Sequence, residues 1–389
     1  MIDTVKQCVR IKQNVEPFPA PIYVTRPVFP KIEEVTAKLE DIWRAQWLTN
    51  NGPQHHKLEE ELTEYLKVPY LSLFNNGTIA LMVACQSLRL TGDVITTPFT
   101  FAATPHVLSW NNIRPIFCDI DPVTMNINAD QIEFMITPQT TAILAVHVFG
   151  TPCDVEKIQA VADKYGLRVV YDAAHAFGVE VDGKGIGTFG DISMMSFHAT
   201  KLYHTVEGGA LMHKDKHLKE RIDLLKNFGI KNEEEVVMPG INGKLNEVQA
   251  AIGRIMLGYM AEEREKRIAL GKIYDEELGD VPGITLMPKV EDNIRLNHQY
   301  YVIRIDETKF GRSRDYVYDH FKEYNVFTRK YFHPLCSEFT CYRQLSSAAP
   351  EKLPVAVKVG REVLSMPMYG GLTEDDARKI CGILKSFRN

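Results

Sequence analysis

Residues 141–178 read "TAILAVHVFGTPCDVEKIQAVADKYGLRVVYDAAHAFG", and the change of period inside this stretch decides the fold. The runs "TAILAVHVF" (141–149) and "LRVVYD" (167–172) are strand-like and apolar at both alternating positions, as in strands covered on both faces. Between them, "DVEKIQAVADKYG" puts Val155, Ile158, Val161, Ala162 and Tyr165 on one helical face, and Gly166 supplies a stop. The alternation extends in both directions. Further strands are expected at 70–74, 93–97, 114–120, 191–197 and 209–213, with a helix over "GTIALMVACQSL" after the first. Such a pattern argues for an α/β domain built on a largely parallel sheet.

The flanks add smaller units. Residues 1–30 include "VEPFPAPIYVTRPVFP" and read as an extended N-terminal arm. A helix is expected from Lys31 to Gln46, with Ile32, Val35, Leu39, Ile42 and Trp43 at helical spacing, and a second from near Lys57. The large domain is taken as 31–260 and a smaller α+β domain as 261–389, with one long helical stretch from Lys244 to Leu278 as the bridge. In the smaller domain "HQYYVIRI" reads as a strand, "GRSRDYVYDHFKEYN" as a helix, and a last helix follows "GLTEDDARK".

Composition narrows the class. The chain has 389 residues, 45% hydrophobic and 24% charged, as soluble globular proteins do. A net charge of −5 gives no support to a nucleic-acid or anionic-membrane partner. Seven cysteines without a CxxC, an odd count, suit a reducing cytoplasm better than a disulfide framework. The start "MIDTVKQCVRIKQNVEPF" mixes charges and lacks the apolar core of a signal peptide. No run approaches the roughly 18 apolar residues of a membrane span. The expectation is a soluble, cytoplasmic protein.

Several motifs can be weighed against their chemistry. "GIGTFG" (185–190) meets the GxGxxG count, but it precedes a strand and has no helix after it, so it reads as a turn and loop. No HExxH or paired Cys/His spacing suggests a metal site, and neither GxSxG nor a Walker sequence occurs. In "LFNNGTIAL" a strand leads into a helix at Gly77-Thr78, where free first-turn N–H groups and a hydroxyl could hold an anion, or simply form a turn. Asp172 ends a strand, where open α/β sheets bind ligands, but an aspartate before Ala-Ala is also a helix N-cap. In "SFHATKLYHTVEGGAL" (196–211), Lys201 alone would pass for a solvated loop residue. Taken together, an anion-holding turn, an acidic strand end and a later lysine follow the order that pyridoxal phosphate chemistry requires. The lysine forms the Schiff base, the carboxylate keeps the pyridine nitrogen protonated, and the turn with Ser196 holds the phosphate.

With these residues in hand, the chain resembles the DegT/DnrJ/EryC1/StrS family of sugar aminotransferases from about Thr25 onward. The strings "WLTNNGP", "NNGTIAL", "TTPFTFAAT", "YDAAHAFG", "SFHATK", "INGKLNEVQAAIG" and "MPMYGGLTEDD" carry the likeness. The resemblance implies the type I, aspartate-aminotransferase-like fold with pyridoxal 5′-phosphate (PLP) as cofactor. It makes Lys201 the catalytic, cofactor-linked lysine, Asp172 the partner of the ring nitrogen and His175 a neighbour of the phenolic oxygen. Phe101 would stack on the ring, and Gly77, Thr78 and Ser196 would hold the phosphate. Asn242 would reach it from a second subunit, so the implied unit is a homodimer with shared sites. The family's dehydratase branch has histidine in place of the lysine, and the lysine here favours transamination. His198, two residues after Ser196, and the later Glu-Gly-Gly are similar to members that aminate C4 of nucleotide-linked 4-keto-6-deoxy sugars with L-glutamate. The implied acceptor is dTDP-4-keto-6-deoxy-D-glucose, in surface polysaccharide or lipopolysaccharide O-antigen synthesis. C3 members tend to read Ser-Phe-Tyr-Pro-x-Lys. A C3 aminotransferase and a non-catalytic PLP-binding regulator stand as the alternatives. Thr49, Asn51, Arg329 and Lys330 are the residues implied on the substrate side, the last two for a diphosphate.

Overall fold

Two helices, α1 (Ile32–Ala45) and α2 (Pro53–Tyr65), lead into the first strand in the computed structural model, which describes residues 16–388. The first part of the expected arm, with Cys8, lies outside the described residues. Helix α2 begins at Pro53 and not near Lys57, because Pro suits the first helical position and Glu247 caps the helix from far along the chain. The Glu247 carboxylate accepts the N–H groups of Gln54 (2.7 Å) and His55 (2.9 Å). In α1 only Ile42 is buried, while Ile32 and Trp43 stay 68% and 66% exposed, so its apolar face is uncovered within one chain.

The alternating region folds as read. In chain order it runs β1 (Tyr70–Phe74), α3 (Gly77–Ser87), β2 (Asp93–Thr96), α4 (Ala103–Trp110), β3 (Arg114–Phe117) and β4 (Thr140–Val146). It continues through α5 (Val155–Tyr165), β5 (Arg168–Asp172), β6 (Ile192–Ser196) and β7 (Gly209–His213). The strands form one seven-stranded sheet in the order β1-β7-β6-β5-β4-β2-β3. Pairing is parallel from β6 across to β3, and β7 runs antiparallel to both β1 and β6. Val155, Ile158 and Ala162 of α5 are buried against Ile143, Ala145 and Val169. Burying an Ile or Val side chain of this kind is worth about 1.5–3 kcal/mol. Tyr165 departs from the expected face. It is 42% exposed and donates its hydroxyl to Glu133 (2.6 Å), since a phenol at a helix end gains more from a polar partner than from the core. "GIGTFG" is indeed a connection: two residues of strand, a 3₁₀ turn at Ile186–Thr188, then β6.

After α6 (Lys216–Leu225), the expected bridge is two helices, α7 (Glu247–Leu257) and α8 (Met260–Leu278). Asn246 and Gln249 form a capping box at the start of α7, and the chain turns at Gly258-Tyr259, which the periodicity alone did not reveal. The remaining chain builds a three-stranded antiparallel sheet around β8 (Tyr301–Ile305), flanked by Ile284–Thr285 and β9 (Val363–Met366). Helices α8 and α9 (Glu374–Ser386) cover it with Tyr274, Leu278, Ile380 and Leu384 in its core. The described part of the arm is extended. Ile22–Tyr23 pair with Val326–Phe327, Val24 O accepts from Met368 N (3.0 Å), and Val28 O accepts from His204 Nε2 (2.8 Å).

Three buried histidines make the fold sensitive to acid. Burial lowers His55 and His147 to about 3 and His213 to about 4, all well below the usual 6.5. Each therefore binds a proton more readily unfolded than folded. The stability they contribute is fully present above pH 6.5 and is lost as pH falls from there toward 4. Urea denaturation should give a lower midpoint at pH 5 than at pH 7.5. His213 stacks on Tyr70 (5.8 Å, 17°), so His213→Phe keeps the packing and should flatten the pH slope; an unchanged slope contradicts the assignment.

Candidate active site

The C-terminal edge of the large sheet collects the chemistry. Asp172 is the last residue of β5, Ser196 the last of β6, and the Asn75-Asn76-Gly77 turn follows β1. Strand β7 enters at the same edge because it runs the other way, with Gly209 opposite both Phe74 and Ser196. A Cβ on Gly209 would lie 2.7 Å from Gly77 N and 2.8 Å from Asn76 C, so only glycine lets α3 start this close to the sheet. The Asn76 side chain accepts from Ile79 N (2.8 Å), leaving the Gly77 and Thr78 N–H groups with no acceptor among the described residues. A helix start of this form, with the Thr78 and Ser196 hydroxyls beside it, suits a phosphate.

These groups line a cavity of about 310 Å³. Asp172 is 5% exposed; its carboxylate accepts from Thr104 Oγ1 (2.8 Å) and Ala174 N (3.1 Å). No helix begins at Asp172, so the N-cap reading of this residue falls away. Burial pushes its carboxyl above the usual carboxylate range, opposed by those two hydrogen bonds and by the Lys201 charge. The carboxylate makes no ion pair among the described residues, so a cationic ring nitrogen is the partner this donor set lacks. His175, also on the cavity, accepts from Phe149 N at Nδ1 (3.2 Å), so its proton sits on Nε2. Burial holds it neutral, far below its ordinary value. Its ring lies parallel to Phe149 (6.2 Å, 6°) and Phe332 (5.9 Å, 5°), and Phe149 adopts a φ of 56° that aims its N–H at the imidazole.

Lys201 sits in the connection from β6 to β7, with its N–H on His198 O (2.8 Å). Leu202 N reaches Gln299 Oε1 (3.3 Å), and Lys201 Nζ lies 3.4 Å from Tyr300 Oη. Phe101, 63% exposed, stands at the cavity wall. Gly77, Thr78, Phe101, Asp172, His175, Ser196 and Lys201 are thus brought to one cavity. The other five residues implied by resemblance are not on it. Asn242 is exposed and bridges Asn227; Thr49 and Asn51 precede α2; Arg329 bridges Ser365. Lys330 is turned to the Asp315 carboxylate and lies over the Tyr318 ring (4.3 Å). From the segment "TRKYFHPL" it is Tyr331 and Phe332 that face the cavity, joined by Tyr300, Thr100 and Glu207. The sequence singled out none of these as site residues. The tyrosine pair in "HQYYVIRI" was visible only as the edge of a strand.

Comparison with known proteins identifies the family and the fold. Residues 31–385 match the DegT/DnrJ/EryC1/StrS aminotransferase family model. The chain is 46% identical over 364 residues to a dTDP-4-amino-4,6-dideoxy-D-glucose transaminase of Escherichia coli, covering 93% of this chain and 98% of that protein. It is 44% identical to one of Shigella dysenteriae, covering 95% and 99%. The solved structure of DesI with its TDP-sugar product superposes with a TM-score of 0.90 at 36% identity, covering 95% of this chain and 93% of that one. The fold is that of the type I PLP-dependent sugar aminotransferases, and PLP is the cofactor.

The close approach at Gly209 can be tested directly. Gly209→Ala must move the start of α3 away from β7, since the clash is with backbone. Urea denaturation should show a loss of about 1–3 kcal/mol. PLP affinity, read by the visible absorbance of the bound cofactor, should fall by about tenfold or more.

Proposed function

The chain belongs to the DegT/DnrJ/EryC1/StrS aminotransferase family, and from this premise we propose that it moves an amino group from L-glutamate to C4 of dTDP-4-keto-6-deoxy-D-glucose. The product is dTDP-4-amino-4,6-dideoxy-D-glucose. The observation that carries the reading is the identity of 46% and 44%, at nearly full coverage, to two transaminases of that name. A relative 32% identical, a spore coat polysaccharide biosynthesis protein of Bacillus subtilis, supports a place in surface polysaccharide synthesis. Six free cysteines among the described residues support a reducing, cytoplasmic setting.

The geometry supports the following roles. PLP, when bound, supplies an electron sink and carries the amino group between donor and acceptor. Lys201 holds the cofactor covalently between turnovers, and its freed amine moves the proton at Cα of glutamate and, in reverse, at C4 of the sugar. Asp172, buried and in no ion pair among the described residues, would keep the ring nitrogen protonated. His175 offers its Nε2–H to the phenolic oxygen, a donation that its neutral form retains. Gly77, Thr78 and Ser196 bind the phosphate, and Phe101 covers the ring.

We further infer a homodimer with shared sites. Asn242 lies on a segment that exposes Phe228, Ile230, Val236, Val237 and Ile241, and α1 leaves Ile32 and Trp43 uncovered. Apolar surface of this extent suits a second copy. Burial there would carry Asn242 to the partner's phosphate.

Incubation with dTDP-4-keto-6-deoxy-D-glucose, L-glutamate and PLP should release 2-oxoglutarate and the 4-amino sugar in equal amounts. Product from the 3-keto isomer alone would overturn the C4 assignment, and product from a GDP-linked ketosugar alone would overturn the nucleotide. Failure to form 2-oxoglutarate with all three would favour a regulator. Lys201→Ala should lower turnover by about a thousandfold or more. Borohydride reduction of the wild-type protein should leave the cofactor's mass on the peptide containing Lys201. A label on another lysine would refute that role.

A further inference from the structure

The family reading leaves open what holds the lysine when its amine is free. A four-carbon stem with a mobile head has many rotamers to explore, and an amine that wanders after release is slow to return. The Tyr300 hydroxyl, 3.4 Å away, is the one side-chain hydrogen-bond partner of Lys201 Nζ among the described residues. The contact is long, as such bonds often are before ligands bind.

The construction around Tyr300 is stiffer than one side-chain contact requires. Asn297 Nδ2 donates to His175 O (2.9 Å) and Phe177 O (3.1 Å), in the turn that follows Asp172. Its Oδ1 accepts from Gln299 N (3.0 Å), and Gln299 Oε1 accepts from Leu202 N (3.3 Å), the residue after Lys201. Gln299 O in turn accepts from Arg267 Nη1 (3.0 Å). Asn297, Gln299 and Arg267 are 2%, 4% and 2% exposed, so these bonds are shielded from water. The Tyr300 ring packs edge-on against His175 (4.9 Å, 69°) and Phe149 (5.7 Å, 64°). One segment therefore grips the turn bearing His175 and the loop bearing Lys201, and it fixes a hydroxyl between them.

We propose that Tyr300 is a positioning residue: its hydroxyl takes up the Lys201 amine whenever the cofactor releases it, and Asn297 and Gln299 set the hydroxyl's place. The proposal rests on the assignment of Lys201 as the cofactor-linked lysine. Tyr300→Phe keeps the ring against His175 and removes only the hydroxyl.

Wild-type and Tyr300→Phe enzymes are loaded with pyridoxamine 5′-phosphate, which leaves Lys201 free, and are reductively methylated with limiting formaldehyde. Lys201 should be modified about threefold faster in the variant, because a held amine is a poorer nucleophile, with labelling of Lys219 unchanged. In stopped-flow mixing of the PLP forms with L-glutamate, the maximal rate of the donor half-reaction should fall about tenfold, with half-saturation moving less than about twofold. Borohydride mapping of the same samples separates the failures. A wild-type label away from Lys201 refutes the functional reading and this proposal with it. A label on Lys201 with either rate unchanged in the variant refutes the proposal alone.

Discussion

The reversed direction of β7 organises the site. Six strands point one way, and a seventh is inserted between β1 and β6 against them. The link from β6 to β7, residues 197–208, therefore returns over the C-terminal edge and does not cross a face of the sheet. Lys201 rides on that return, above the edge where Asp172 and Ser196 end. The same reversal puts Gly209 beside the start of α3, so one strand positions both the lysine loop and the phosphate cradle. A parallel β7 would bring its first residue to the opposite edge.

Electrostatics then follows from burial. Asp172 is taken out of water, which raises its proton affinity against the pull of two hydrogen bonds and the Lys201 charge. His175 next to it is held neutral by the same desolvation. An acid beside a neutral imidazole would be costly in an idle core. A cofactor with a cationic nitrogen and a phenolic oxygen would offer each group the partner it lacks. Thr104 and Ala174 hold one Asp172 oxygen each, which fixes the plane of the carboxylate.

The smaller sheet reaches this site through a few buried polar residues. Arg267 on α8 bonds Glu263 (2.8 Å), Gln299 O and Met368 O (3.1 Å), which ties the helix, segment 297–300 and the chain after β9 together. Removing a single partner would leave a buried charge unpaired, which is why such a knot holds its geometry. Tyr331 and Phe332 close the cavity from the same side.

Much of this was legible in the order of residues. Helix and strand periods mark the alternating region because the sheet is covered on both faces, and the turn and the acid are recognisable because they lie at strand ends, which gives the lysine in the loop after Ser196 its meaning. Local signals end where partners are distant. Nothing near Pro53 announces Glu247 as the cap of α2, and nothing in "TRKYFHPL" distinguishes Lys330, drawn to Asp315, from Tyr331, which faces the cavity. Tyr300 and its brace of Asn297 and Gln299 look like the approach to a strand until folding sets them against His175 and Leu202. The sequence by itself determined the fold class and, through the turn, the acid, Ser196 and the lysine read together, the cofactor chemistry, because periodicity and strand ends are local properties; Phe101 and the part of His175 were implied by family resemblance. Tertiary structure alone decided what surrounds the lysine and which side chains face the acceptor, because those depend on contacts between residues about a hundred or more positions apart.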